Sequence, residues 1–468
     1  MKIYDTRQKQ KLDFTPIMPH EVRIYVCGPT VYDDAHLGHA RSSIVFDLLV
    51  RTLESNGYSV IFVKNFTDID DKIIKKALDT HTDIVELSAH YIQSYLKDMD
   101  ALGVRRPARE PKATESLHSI AKIIGVLLDK KVAYQAPNGD VYLDVSQDKL
   151  YGSISHRGSE EDENLSRVGE NEEKKHKRDF VLWKAYKGSG DIGYESPLGR
   201  GRPGWHIECS AMIDHNLAYK DKPYQIDIHG GGGDLAFPHH ENEACQTRCA
   251  FGVEIAKYWM HNGFVNVNGE KMSKSLGNSF FIKDALKFYD GEVLRNYLLG
   301  THYRAVLNFN EEDLLVSKKR LDKLYRLKKR AIGETPCANK DFENSLLESM
   351  NDDLNISKAL SVVEEMINVS NEMMDKNPKD KPLKAKILGN IDFVFNLLGI
   401  GGRDPLEYFQ LGVAQEQKSY IQSQLQKRQL AKKNKDFVTA DKIREELAQI
   451  GILIMDTPEG SVWEKVPT

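Results

Sequence analysis

The sequence contains no apolar run of about 18 residues, the length a helix needs to cross a bilayer, so no segment is expected to span a membrane. Cysteine is scarce. Five residues in 468 (Cys27, Cys209, Cys245, Cys249 and Cys337) are too few, and odd in number, for a disulfide framework, which leaves buried thiols or metal ligands. The opening MKIYDTRQKQKLDF lacks the apolar core of a signal peptide, and a cytoplasmic location is the expectation. An excess of either charge is also missing: the net charge of −4 argues against binding a polyanion by bulk charge, so its distribution matters more. There are no internal repeats. What is present is 40% apolar content over a length that exceeds one ordinary core, which predicts several domains.

Two basic stretches stand out against the neutral average. Residues 318–330, KKRLDKLYRLKKR, carry eight Lys or Arg against one Asp, and KKHKR covers 174–178. Either alone reads first as a solvated helix face.

The first hundred residues predict a βαβ unit. Glu21–Cys27 (EVRIYVC) alternates, with Val22, Ile24 and Val26 on one side, and Gly28-Pro29-Thr30 breaks it. A helix follows from about His39, with a stripe of Ile44, Val45, Leu48, Leu49 and Leu53 and a stop at Asn56-Gly57. Ser59–Lys64 (SVIFVK) has the content of a buried parallel strand. Strand, helix and strand at this spacing imply a right-handed crossover in a doubly wound α/β sheet of Rossmann-like type. Its ligand crevice lies beyond the strand carboxyl ends, where Cys27–Thr30 and Asn65–Asp68 fall. Residues 100–200 predict an insertion with small hairpins such as Gly139–Val145, and a polar surface loop at 159–178. From about Asn310 to Leu398 the pattern is helical; a charged helix over 421–449 and a short β end complete the chain.

Two short motifs suggest nucleotide chemistry. In His36-Leu37-Gly38-His39, two histidines bracket a glycine where strand gives way to helix. Gly38 lets a nucleotide lie against backbone, the helix N-terminus favours negative charge, and imidazole N–H groups can stabilise a developing phosphate charge. Alone, the pair reads first as capping or surface histidines. Lys271-Met272-Ser273-Lys274-Ser275 places two lysines three apart on a glycine-bounded loop, able to neutralise a triphosphate. Alone, that is an exposed Lys/Ser loop. Together, in this order and context, the two resemble the signatures of class I aminoacyl-tRNA synthetases.

Metal-ligand candidates are Cys27, Cys209 and the cluster in Pro238–Cys249 (PHHENEACQTRC). If that cluster is helical, His239 and Glu243 share a face, His240 with Glu243 is also possible, and Cys245 and Cys249 share another face. The two late cysteines read first as small buried hydrophobes. Spacing leaves the ligand set open.

Tyr25–Arg41 (YVCGPTVYDDAHLGHAR), Asn65–Lys72 (NFTDIDDK), Gly201–Met212 (GRPGWHIECSAM) and Asp227–Glu243 (DIHGGGGDLAFPHHENE) resemble the cysteinyl-tRNA synthetase family, and the resemblance runs from Lys2 to Trp463. It implies one Zn2+ per chain on Cys27, Cys209, His239 and Glu243, with His240, Glu241, Cys245 and Cys249 in no ligand role. It implies that His36, Gly38 and His39 serve ATP, that Lys271, Ser273 and Lys274 hold its β and γ phosphates, and that Mg2+ accompanies the nucleotide. Gly28, Thr67, Trp205 and Asp234 would belong to the cysteine pocket, and the glycine run 230–233 would let backbone approach the substrate. Zinc suits the task, because it binds a thiolate strongly and a serine hydroxyl weakly. ATP, L-cysteine and tRNA-Cys are the implied partners of a monomer.

The second half would be the RNA-binding equipment. Met350–Leu360 and Lys433–Trp463 resemble the family's helical bundle and small C-terminal domain; Phe437 or Trp463 could stack on bases, although each is more often core. The expected domains are 1–310, 311–405 and 406–468. A mycothiol-pathway cysteine ligase, which looks shorter at its C-terminus, a non-catalytic tRNA-binding relative and a zinc hydrolase are the competing readings.

Overall fold

The computed structural model describes residues 1–156, 173–267, 270–271, 280–457 and 460–466. Its centre is a parallel sheet of four strands, β1 (Glu21–Val26), β2 (Ser59–Lys64), β3 (Tyr224–Gly232) and β4 (Glu254–Asn262), in the order β4-β3-β1-β2. On β1 the alternating Val22, Ile24 and Val26 are fully buried, and so is Tyr25 between them. A strand buried on both faces is what a parallel sheet covered by helices requires. Helix α1 (Leu37–Ser55) makes the crossover from β1 to β2, and its stripe of Ile44, Val45, Leu48, Leu49 and Leu53 is buried. It ends at the Asn56 cap, followed by Gly57 at φ 85°.

From β1 the chain steps outward to β2 on one side and returns to lay β3 on the other. The crevice therefore opens between the carboxyl ends of β1 and β3, the switch point where doubly wound sheets bind ligands. The glycine run is strand there: Gly230–Gly232 continue β3 in register with Met260–Asn262. A Cβ on Gly230 would lie 2.2 Å from the Phe46 ring, so glycine is what lets α1 seat against β3.

Between β2 and β3 the chain forms helices over 71–80, 84–101 and 117–129 and a separate antiparallel sheet of the strands 133–135, 141–143, 180–185 and 201–203. The helix over 117–129 and this sheet fall where the insertion over 100–200 is expected, and the helices over 71–101 precede it. Of the predicted 159–178 loop, residues 159–172 lie outside the described residues. Helix α2 (Trp205–Asn216) returns the chain to the sheet, and α3 (Glu241–Phe251) links β3 to β4.

Two compact units emerge, Met1–Ser317 with Asn344–Val362, and Lys318–Glu343 with Val363–Thr468. This grouping differs from a continuous 311–405 bundle, because 344–362 belongs to the first unit. The N-terminal strand Lys2–Asp5 and Tyr303 hold it there: Lys2 N donates to Asn351 O, Tyr4 N donates to Asp353 Oδ1 at 2.8 Å, and Tyr303 OH donates to the same carboxylate at 2.7 Å. In the second unit the predicted 421–449 helix is two helices, Gln415–Lys433 and Phe437–Gln449. Lys435 at φ 60° breaks the run, and Asp436 caps the second helix by accepting from Thr439 N. These helices pack on the 452–457/460–465 hairpin around Ile421, Leu425, Leu447 and Trp463. Trp463 is core and offers no stacking face, whereas Phe437 is 61% exposed. Among the described residues no helix is long and apolar enough to cross a membrane.

Candidate metal centre and nucleotide pocket

The His-x-Gly-His motif builds the start of α1. His36 is the N-cap, its Nδ1 accepting from Gly38 N at 3.1 Å, while His39 Nδ1 accepts from His36 N at 3.4 Å. The rings stack with centroids 3.8 Å apart. A neutral imidazole that accepts at Nδ1 carries its proton on Nε2, so both rings are set as Nε2 donors at a helix N-terminus. Both line a cavity of about 550 Å³, together with Gly28, Gly38, Trp205 and Asp234. The capping reading and the phosphate-binding reading of the motif are thus compatible, since one ring nitrogen serves each.

Beside the cavity, at the switch point, four side chains from four segments converge. Cys27 follows β1, Cys209 sits on α2, His239 precedes α3 and Glu243 lies in its first turn. Their ligand atoms lie within 4.8 Å of one another and all four residues are buried. Cys27 Sγ is 3.7 Å from Cys209 Sγ and 3.5 Å from Glu243 Oε1. Donors held tetrahedrally at ordinary zinc distances would stand about 3.8 Å apart for two sulfurs and about 3.5 Å apart for sulfur and oxygen. His239 Nε2 approaches Glu243 Oε1 to 2.8 Å, closer than the roughly 3.3 Å of that geometry, yet without hydrogen-bond alignment, so Nε2 is a buried polar atom lacking a partner. Two thiols, an orphaned imidazole nitrogen and a carboxylate fit a zinc ion.

The charges agree with a ligand set. Burial would raise the Glu243 carboxyl, but His239 and His229 hold it well below the usual carboxylate range. Burial also opposes ionisation of Cys209, yet the hydrogen bond from Cys27 and the neighbouring His239 bring its thiol down to about 6. Cys27 is raised, first by burial and then by Cys209. His239, disfavoured by burial but facing Glu243, is raised to about 10, so a metal would displace a proton from it.

Two histidines that sequence reasoning passed over complete the surroundings. His206 Nδ1 lies 2.9 Å from His239 Nδ1, and burial followed by His239 lowers its pKa, leaving a neutral ring to accept and orient. His229 Nε2 lies 2.7 Å from Glu243 Oε2. Their signal was position: both stand inside motifs already conspicuous, WHIEC and DIHGGGG. Cys27, His229, His240 and Glu243 form a second group of converging donors. Glu241 is taken up elsewhere, accepting from Ile154 N and Ser155 N. Cys245 and Cys249 pack in or against the apolar cluster of the inserted sheet.

The remaining candidates scatter in a telling way. Trp205 stacks on His239 at 4.1 Å. Asp234 is exposed to the cavity, and among the described residues no cation pairs with it. Thr67 is buried behind the wall, bridged to Thr30, and does not line the cavity. Lys271 pairs with Asn266 in a short strand; its side chain, Ser273 and Lys274 lie outside the described residues.

Comparison with known proteins places this geometry. The family model of the tRNA synthetases class I (C) catalytic domain matches residues 13–319. The cysteine–tRNA ligase of Helicobacter pylori (strain Shi470) is 64% identical over 99% of this chain and all of its own length. That of a Nitratiruptor species is 59% identical over the full length of both. Among solved structures, Mycobacterium tuberculosis methionyl-tRNA synthetase bound by methionyl-adenylate superposes with a TM-score of 0.62 at 15% identity, covering 86% of this chain and 96% of that one, which shows the shared fold. The chain belongs to the class I aminoacyl-tRNA synthetases, in the cysteine–tRNA ligase family.

Proposed function

We propose that the protein activates L-cysteine with ATP and transfers it to the 3′ end of tRNA-Cys. The observation that carries this reading is the buried Cys27–Cys209–His239–Glu243 group beside a cavity that also holds His36 and His39. Bound by those four side chains, zinc would supply a soft Lewis acid that holds a cysteine thiolate and discriminates against a serine hydroxyl. Asp234 receives the substrate ammonium, and Trp205, stacked on His239, covers the side-chain pocket. Gly28 keeps the wall beside Cys27 thin, and Thr67 supports the wall from behind.

The substrate carboxylate oxygen attacks the α-phosphorus of ATP, forming the adenylate and expelling pyrophosphate. A terminal ribose hydroxyl of the tRNA then attacks the carbonyl carbon, forming the ester and releasing AMP. His36 and His39 donate to phosphate oxygens as charge builds. Lys271, Ser273 and Lys274 hold the β and γ phosphates, and magnesium enters with the nucleotide. The part 406–468 serves the anticodon side, with exposed Phe437 available to a base.

Cysteine-dependent ATP–pyrophosphate exchange tests the first step, and charging of tRNA-Cys tests the second. Both are expected. No exchange would overturn the reading. Exchange without tRNA charging would favour an aminosugar acceptor, as in a mycothiol-pathway cysteine ligase. The C-terminal helices and hairpin, folded around their own core, speak for tRNA.

A further inference from the structure

A lysine at the edge of the cavity has no place in the roles above. Lys64 is the last residue of β2 and lines the same cavity as His36 and His39. Among the described residues no carboxylate lies within ion-pair distance of its ammonium; Glu110 acts on it only from further away. Its partners are two neutral hydroxyls, Tyr95 OH at 2.7 Å and Ser43 Oγ at 2.8 Å. Those hydroxyls lie 2.8 Å from each other, and Ser43 Oγ donates to His39 O at 2.8 Å.

Counting donors fixes the direction of this network. Ser43 spends its one proton on His39 O, so its oxygen accepts from both Lys64 and Tyr95. Tyr95 in turn accepts from Lys64 and donates to Ser43. Every hydroxyl is satisfied, and two of the three ammonium protons are used. Tyr95 and Ser43 are themselves buried, and the Phe66 ring meets the Tyr95 ring edge-on at 5.7 Å, so the hydroxyls are fixed. A half-buried cation held by neutral groups alone is costly unless an anion completes it. The cavity wall it shares is the one that carries the phosphate-directed histidines, one helical turn from Ser43.

We propose that Lys64, aimed by Tyr95 and Ser43, is a positioning residue that binds phosphate oxygens of a substrate in the active-site cavity. The chemistry admits two sources, the polyphosphate of ATP and the phosphodiester at the tRNA 3′ end. The proposal rests on the function proposed above.

The test compares wild type, Lys64→Met, Lys64→Arg and Tyr95→Phe. ATP–pyrophosphate exchange without tRNA gives KM for ATP and pyrophosphate, and charging at saturating ATP gives KM for tRNA. Lys64→Met is expected to raise the KM of one phosphate-bearing substrate tenfold or more while leaving KM for cysteine within twofold, and Lys64→Arg to recover most of the loss. Tyr95→Phe should fall between. A shift for ATP or pyrophosphate assigns the polyphosphate; a shift for tRNA alone assigns the 3′ end. All KM values within twofold of wild type would overturn the proposal, as would an equal loss for cysteine accompanied by a lower melting temperature. If wild type shows no exchange, the function reading fails on its own. Calorimetric binding of inorganic pyrophosphate and filter binding of uncharged tRNA-Cys then decide on Lys64, unchanged affinity for both in Lys64→Met refuting it.

Discussion

Gly28→Ala should damage the candidate metal centre and the fold together, through one methyl group. Gly28 follows Cys27 at the end of β1 and donates from its backbone N to Asn65 Oδ1 at 2.8 Å, tying the ends of β1 and β2. A Cβ built there would lie 1.6 Å from Asn65 O and 2.7 Å from its carbonyl carbon. These are backbone atoms of the neighbouring strand, which no rotamer change can move. Restoring an ordinary contact of 3.4 Å means separating the strand ends by about 1.8 Å. The backbone N–H would lose its acceptor, at roughly 1–3 kcal/mol, and the forced shift adds about 1–3 kcal/mol. The total of roughly 2–6 kcal/mol corresponds to a fall in melting temperature of about 3–9 °C for a unit of this size. Cys27 would move with Gly28, and a site tolerant of about 0.5 Å would lose its metal. Thermal melting, metal content and KM for cysteine in the exchange assay should all respond, the last by tenfold or more. A Gly28→Ala protein that melts within about 1 °C of wild type and keeps its zinc would refute the reasoning.

Asp47 is fully buried against Arg51 Nε at 2.8 Å and Arg295 Nη2 at 2.5 Å, so Asp47→Ala removes the carboxylate that two buried guanidinium groups share and should cost about 3–5 kcal/mol in denaturant unfolding. Asp98 tests linkage. Burial, and then the charge of Asp34, push its carboxyl from 3.8 up to about 7 in the folded protein. The folded state binds that proton more tightly than the unfolded chain, so the associated stability is present below about pH 4 and is lost as pH rises through 7. Asp98→Asn cannot ionise, and its melting temperature relative to wild type should improve between pH 5 and pH 8, by the equivalent of about 1–3 kcal/mol. An unchanged difference across that range would show that Asp98 stays ionised.

How far the sequence reaches depends on the range of the interaction. The alternation of Val22, Ile24 and Val26 and the stripe of α1 are local, and both elements stand where the spacing puts them. The i,i+4 relation of His239 and Glu243 is local too, and the two atoms meet at 2.8 Å. Cys27 and Cys209 stand 182 residues apart, so their convergence was legible only through the family resemblance. The attachment of 344–362 to the first unit rests on Tyr4 reaching Asp353 across 349 residues, which no periodicity records. The break at 434–436 was readable in principle: Asp436 caps through Thr439, a D-x-x-T signal hidden inside a uniformly charged run. Lys64 reads from the sequence only as the end of a strand, because its role depends on hydroxyls from two helices.

The choice between the two donor groups can be settled by counting sulfurs. Cys27 and Glu243 belong to both groups, so the question is whether the metal sits with Cys209 and His239 or with His229 and His240. His229 Nε2 is engaged at 2.7 Å with Glu243 Oε2, and its ring stacks on Trp259 at 4.8 Å, so coordination through Nε2 would break an aligned contact. His240 Nδ1 is engaged with His261 Nε2 at 2.7 Å. His239 Nε2 has no aligned partner to give up, but neither have His229 Nδ1 and His240 Nε2, so the sulfurs decide: the first group offers two, and Cys209 carries the thiol whose pKa is lowered. The softer set should win zinc. X-ray absorption of the zinc-loaded protein should therefore show two Zn–S bonds near 2.3 Å for each metal. Cys209→Ser should lower metal content and raise KM for cysteine together. One sulfur per zinc, with full occupancy in Cys209→Ser, would move the metal to the His229–His240 side and leave His239 as its neighbour.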